Sequence, residues 1–224
     1  MKIYPNETQP PKFSIHCRLC PRLANFLDEV RLAQPDYFAH PVPSFGDEQA
    51  RLLIVGLAPG MHGANRTGRP FTGDFAGKLL YSTLHEFGFS TQAEPLDETG
   101  QANAALSLRD CRISNAVRCL PPQNKPEPAE VKQCNGYLRD ELAGLPHGAA
   151  VLALGTVAHL AVVRALALRA NDFAFTHGAQ HQLPNGMMLY DSYHCSRYNT
   201  QTKRLNTAMF HAVFKAITGY LHTL

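Results

Sequence analysis

What the chain lacks narrows its function first. No apolar run in its 224 residues approaches the roughly 20 that a bilayer-spanning helix needs. The N-terminal MKIYPNETQPPKFS has no continuous apolar core of the kind that marks a signal peptide. Both absences predict a protein with no membrane partner, placed in the cytoplasm. A large surplus of charge is also missing: the net of +3 is too small to diagnose a nucleic-acid binder, so the placement of Lys and Arg matters more than their sum. There is no internal repeat and no low-complexity tract, and Pro121 to Pro128 is a Pro-rich loop too short for a linker. With 45% hydrophobic content the chain is long enough for one well-buried core and too short to expect a second, so residues 1–224 are read as a single domain and, by default, a monomer. Cytoplasmic thiols stay reduced, so the six cysteines are read as metal ligands, core residues or catalytic groups rather than a disulfide framework.

What is present alternates. Short β-rich runs at Leu52 to Leu57, Arg112 to Val117, Ala150 to Leu154 and Met187 to Ser192 are separated by segments of helical period. Helices are predicted near Arg18 to Leu32, Phe75 to Phe87, Pro128 to Leu142, Thr156 to Leu168 and Thr202 to Leu221. Strands alternating with helices imply right-handed crossovers and a mostly parallel sheet with helices on both faces. In such sheets ligands bind outside the carboxyl ends of the strands, which here are the loops GLAPGMHG, NAVRCLPPQNKP, LGTVAH and DSYHCSRYNTQTKR.

The first of these loops, GLAPGMHGANRTGRPFTGD, is no Walker A loop. Gly77-Lys78 is followed by Leu79 where Ser or Thr should bind Mg²⁺, and Thr72 stands where the first Gly should. Gly56 and Gly60 also have the wrong spacing for a dinucleotide fingerprint. Glycines after a parallel strand still let backbone N–H groups approach an anion or a planar ring, although turns alone would also use them. Arg66, Arg69, Phe71 and Asp74 tip the reading toward a site: cations for phosphate, a ring to stack, and a carboxylate where the loop ends.

Cysteines give a second signal. Cys17 and Cys20 form a C-x-x-C turn opening a helix, and Cys119 and Cys134 lie downstream with 14 residues between them. Such a set can close a tetrahedral zinc site or hold a cubane iron–sulfur cluster, and spacing does not choose between them. A thioredoxin-like redox pair fits less well, since no strand precedes Cys17. The fourth loop is the third signal. His194 stands just past a strand end, and Ser196, Arg197, Asn199, Thr200, Lys203 and Arg204 follow it, a phosphate-contacting composition that could otherwise be an ordinary solvated helix start.

Together the segments GLAPGMHGANRTGRPFTGD, NAVRCLPPQNKPEPAEVKQC and SYHCS resemble the uracil-DNA glycosylase superfamily, and within it family 5, the iron–sulfur type also called UDGb. The resemblance runs from Cys17 to about Arg204. It implies a three-layer α/β/α fold with a central four-stranded parallel sheet, a [4Fe–4S] cluster on Cys17, Cys20, Cys119 and Cys134, and excision of uracil from DNA. It also implies a wider range of damaged bases, such as hypoxanthine, xanthine and ethenocytosine. Family 4 carries a Glu in the short opening motif where this chain has Leu57 and Ala58, which moves the expected carboxylate to Asp74.

By this resemblance Asp74, Asn115 and His194 are the catalytic candidates. Gly56, Ala58, Pro59, Gly60, His62 and Phe71, with Asn115 and His194, would line the base pocket. Arg66, Arg69, Ser196, Arg197, Tyr198, Lys203 and Arg204 would meet DNA, with Tyr198 or Arg197 filling the gap left by a flipped base. Cys195 stands where the family usually has Pro, which predicts a looser loop. No lysine is placed to act as a Schiff-base nucleophile, so a monofunctional enzyme is expected. Two other classes stay open at this level: a non-catalytic binder of damaged or single-stranded nucleic acid, and a zinc-stabilised hydrolase of small nucleosides.

Overall fold

The computed structural model describes residues 12–224, so the start of the segment read above for a signal peptide lies outside the described residues. In chain order the elements are α1 (Pro21–Ala33), β1 (Phe45–Gly46), β2 (Leu52–Gly56), α2 (Ala64–Thr67), α3 (Phe75–Glu86), β3 (Cys111–Asn115), α4 (Pro128–Ala143), β4 (Ala150–Leu154), α5 (Thr156–Ala165), β5 (Gln180–Gln182), β6 (Met188–Ser192), α6 (Arg197–Gln201) and α7 (Thr207–Leu221). Short 3₁₀ turns sit at Pro122–Asn124 and Ala170–Asp172.

One sheet runs in the order β1-β3-β2-β4-β6-β5. Its inner strands β3, β2, β4 and β6 are the four expected ones, and they pair in parallel. The sheet has six strands rather than four because β1 and β5 cap its two edges in antiparallel sense. These edge strands are two and three residues long and only partly buried, too short to show a period of two in the sequence.

Alternation along the strands sends successive side chains to opposite faces. Leu53, Val55, Val151 and Ala153 pack under α1, α4 and α5 with Leu27, Val131, Leu138 and Val162. Leu52, Ile54, Leu152 and Leu154 pack under α3 and α7 with Leu80, Leu84, Phe210 and Phe214. The three-layer α/β/α architecture follows from these two apolar faces. Because β2 and β4 are buried along their full length, they read as continuous apolar runs.

Helix ends follow local chemistry. α4 starts with Pro128 after a capping box between Glu127 and Glu130. The helix predicted over Thr202 to Leu221 starts only at Thr207, with the short α6 ending before it at Gln201, because Lys203 turns left-handed (φ 58°) and Asn206 caps the new start, accepting from the Met209 amide at 2.8 Å. The carboxyl ends of β2, β3, β4 and β6 share one edge of the sheet, and the loops leaving them meet there.

Candidate active site

β2 ends at Gly56, and the loop that follows wraps around one carboxylate. A Cβ at Gly60 would lie 2.6 Å from Asp74 Oδ1, and a Cβ at Gly63 would sit within the Asp74 carboxylate itself. The side chain packed so closely against the glycines is therefore Asp74. The Ala64 amide donates to Asp74 Oδ2 at 3.4 Å. Burial raises the Asp74 pKa, opposed by that amide and by the nearby His62 and Arg66.

Glycine serves a second ring of contacts. A Cβ at Gly56 would meet the Phe71 ring at 2.7 Å and the Asn115 carboxamide oxygen. Phe71 itself takes a left-handed backbone (φ 56°), uncommon for a bulky residue and a mark of a constrained site. Its ring lies beside that of His194, with centroids 5.8 Å apart and planes 27° from parallel. Asn115 ends β3 in register with Gly56, and His194 follows the end of β6. Burial lowers the His194 pKa to about 4, so its imidazole is neutral at pH 7.

These side chains face one cavity of about 530 Å³, lined by Ala58, Gly60, Phe71, Asp74, Asn115, His194, Ser196 and Arg197 among others. That volume is in the range of a small-molecule site. Of the residues expected around the base, Gly56, Pro59 and His62 are not on its wall. His62 is exposed, with Nδ1 2.8 Å from the Tyr37 hydroxyl. Leu57, Ala64, Phe75, Ala76 and Asn124 line the cavity without having been singled out in the sequence. Asn124 follows Gln123, and both are left-handed (φ 57° and 55°), a conformation that the Pro-rich composition did not announce.

The expected DNA contacts divide into two sets. Arg69 is turned inward: it donates to Thr72 Oγ1 at 2.9 Å, Asn103 O at 2.9 Å and Pro95 O at 2.6 Å. Arg66 donates to His62 O and Gly100 O, both at 2.9 Å. These two guanidinium groups fasten the 95–103 excursion to the loop that carries Phe71 and Asp74. Arg197, Tyr198, Lys203 and Arg204 are exposed near the mouth. Arg197 lies over the Phe75 ring at 5.2 Å and Arg204 over Tyr193 at 4.5 Å, while Tyr198 is 70% exposed.

At Cys195 the chain holds its turn without proline. Asn199 Nδ2 donates to His194 O at 2.8 Å, and Ser196 Oγ caps α6 by accepting from the Asn199 amide at 3.3 Å. Cys195 is fully buried, and burial pushes its thiol up to about 12.

In a separate, small cavity Cys17, Cys20, Cys119 and Cys134 come together within walls formed by Phe13, Leu23, Pro41 and Val117. All are free thiols. Burial and the neighbours Cys134, Glu130 and Cys17 drive Cys20 up to about 11, so its thiol stays protonated unless a cationic centre binds there. Donors already point at the sulfurs: the Arg118 amide to Cys134 at 3.3 Å and the Tyr137 hydroxyl to Cys17 at 3.4 Å. Among the described residues His159, His181 and Asp191 form a group of possible metal ligands, with ligand atoms within 4.8 Å of one another.

Fold and site agree with what the chain matches. The family described as the uracil DNA glycosylase superfamily matches residues 43–218, and the chain belongs to that superfamily. Within it the chain is similar to the type-5 uracil-DNA glycosylase of Thermus thermophilus, 47% identical over 199 residues that cover 87% of this chain and 89% of the relative. The type-5 uracil-DNA glycosylase of Mycobacterium leprae is 41% identical over 207 residues, covering 89% of each. A type-4 uracil-DNA glycosylase of Pyrobaculum aerophilum is more distant, at 30% over 147 residues and 65% of each chain. The family-5 resemblance of the three motifs is therefore borne out.

Proposed function

We propose that this chain hydrolyses the N-glycosidic bond of uracil in DNA, leaving an abasic site, and that it works as a monofunctional, single-domain, cytoplasmic monomer. The observation that carries the reading is one cavity in which Asp74, held by glycines, shares the wall with Phe71, Asn115 and His194. A base in a duplex is stacked and paired, so it must be flipped out at a cost of a few kcal/mol, offset by phosphate contacts and stacking. The exposed Arg197, Lys203 and Arg204, with Ser196, supply the phosphate contacts, and Tyr198 supplies a ring for the vacated space. Phe71 stacks on the base and Asn115 hydrogen-bonds its polar edge.

Cleavage develops positive charge on the sugar and negative charge on the departing base. Asp74 stabilises the first electrostatically and orients the attacking water, a role Asn115 shares. Its glycine cradle fixes the carboxylate before the substrate arrives. His194 meets the second: a neutral imidazole donates a hydrogen bond to the base oxygen, as its depressed pKa requires, rather than delivering a proton from an imidazolium. Hypoxanthine, xanthine and ethenocytosine are proposed as further substrates of the same cavity.

The four cysteines are proposed to hold a [4Fe–4S] cluster. Support comes from the gathering of all four cysteines around one small cavity and from the likeness to type-5 relatives. The cluster, when bound, would tie α1 to the loop after β3 and to α4; hydrolysis itself needs no electron transfer. Two measurements test the reading together. Purified protein should show iron–sulfur absorbance in the visible, and its affinity for a uracil-containing duplex should fall steeply with salt. Affinity independent of salt, with activity on a free nucleoside, would point to a small-molecule hydrolase instead.

A further inference from the structure

The sequence of β6 breaks its own pattern. Leu189 faces the α5 layer, and the next residue on that face is Asp191, fully buried. Opposite it stands His159 of α5, also fully buried, with Nδ1 2.8 Å from Asp191 Oδ1. The other ring nitrogen of His159 is 2.9 Å from Phe173 O. Both ring nitrogens thus face acceptors, and only an imidazolium has a proton for each. From β5, His181 brings Nε2 to 3.4 Å from the second oxygen of Asp191. His177 lies one residue pair further along, with Nδ1 accepting from the Tyr193 amide at 3.2 Å.

We infer that a clasp, the buried His159–Asp191 ion pair with His181 set against its second carboxylate oxygen, positions the strand end leading into His194. The inference rests on the role proposed above for His194 and gives that role a structural support. A buried ion pair is a weak source of stability, because an apolar pair of the same shape does as well. What it supplies is a fixed mutual placement of three elements. The His159 amide donates to Gly155 O at 3.0 Å, and the Gly155 amide donates to Ser192 O at 2.8 Å. Asp191 O accepts from the Gly178 amide at 2.8 Å, and the His177 ring stacks on Tyr193 with centroids 5.1 Å apart. The last three of these contacts end within three residues of His194. Burial alone would lower the pKa of His159, but the hydrogen bond and charge of Asp191, with the Phe173 carbonyl, outweigh it and raise the pKa.

His159, Asp191 and His181 are accordingly positioning residues, and their test must separate placement from mere folding. In wild-type holoprotein, side-chain nitrogen spectra should show His159 as an imidazolium at neutral pH. Asp191→Asn should abolish that signature and shift the ring resonances of His194 while leaving those of His16 and His222 in place. In single-turnover assays on a uracil duplex, base release should slow by about 10- to 100-fold while duplex affinity stays within about twofold. The paired variant His159→Leu with Asp191→Leu should be folded yet equally slow. Wild-type rates in either variant, or unmoved His194 resonances in Asp191→Asn, would overturn the clasp. If wild-type protein releases no base, the proposed function fails, and the His194 resonances alone decide the clasp.

Discussion

Gly60→Ala and Gly63→Ala probe the fit between loop and carboxylate most sharply. An alanine Cβ at position 60 would lie 2.6 Å from Asp74 Oδ1, whereas ordinary contact begins at 3.4 Å, so the carboxylate must retreat by about 0.8 Å. At position 63 the clash is with all three carboxyl atoms, and the displacement is larger. Neither glycine has a left-handed φ, and the obstructing atoms belong to a side chain that can rotate, so the fold should survive both changes. Catalysis should not: misplacing a catalytic group by about 1 Å costs on the order of 100-fold, or about 2.7 kcal/mol of transition-state stabilisation. The assay is single-turnover release of uracil from a labelled duplex, with thermal unfolding and visible absorbance measured on the same preparations. The expected order is wild type, then Gly60→Ala, then Gly63→Ala, with nearly constant unfolding midpoints. Full activity in Gly63→Ala would refute the claim that the glycines exist to place Asp74.

Asp74→Asn should lower base release by about 100- to 1,000-fold. It should leave the unfolding midpoint equal or higher, because a carboxyl whose folded pKa is raised by burial contributes stability only at low pH and loses it as pH rises through that pKa. A lower midpoint at pH 7 would show that the carboxylate is stabilising and the assignment of its environment mistaken. For His194 the sign is opposite: between its ordinary 6.5 and about 4 the unfolded chain binds a proton that the folded chain does not, so stability is full above this window and declines as pH falls through it. Denaturant titrations across that range should show a shallower decline in His194→Gln than in wild type. Cys134→Ser should abolish the visible absorbance and lower the unfolding midpoint, since the proposed cluster would link α1 to α4; a variant with unchanged absorbance would remove Cys134 from the ligand set.

Much of the parallel core was legible because its strands are unusually uniform. Leu52 to Val55 and Ala150 to Leu154 are buried on both faces, so composition alone marks them, and the glycines and chemistry-bearing residues cluster at their carboxyl ends. The edge strands were not, since Phe45-Gly46 and Gln180 to Gln182 are too short to carry a pattern. Asp74, Phe71 and His194 could be named from loop position and Asn115 from the family resemblance, and the structure brings all four to one cavity. Arg69 misled because a cation in a glycine-rich loop looks the same whether it faces phosphate or backbone carbonyls; only tertiary context shows that Asn103 and Pro95 take its protons. His159 and Asp191 were hidden for a related reason. They lie 32 residues apart on different elements, and neither has a local sequence signature.

The central claim is that Asp74 and His194 act on one flipped base, and single-turnover release from duplexes carrying uracil, hypoxanthine or an undamaged base tests it directly. Wild-type protein should release the damaged bases only, and both Asp74→Ala and His194→Ala should be strongly slowed with their visible absorbance intact. Release by either variant at the wild-type rate, or no release by cluster-bearing wild-type protein, would contradict it.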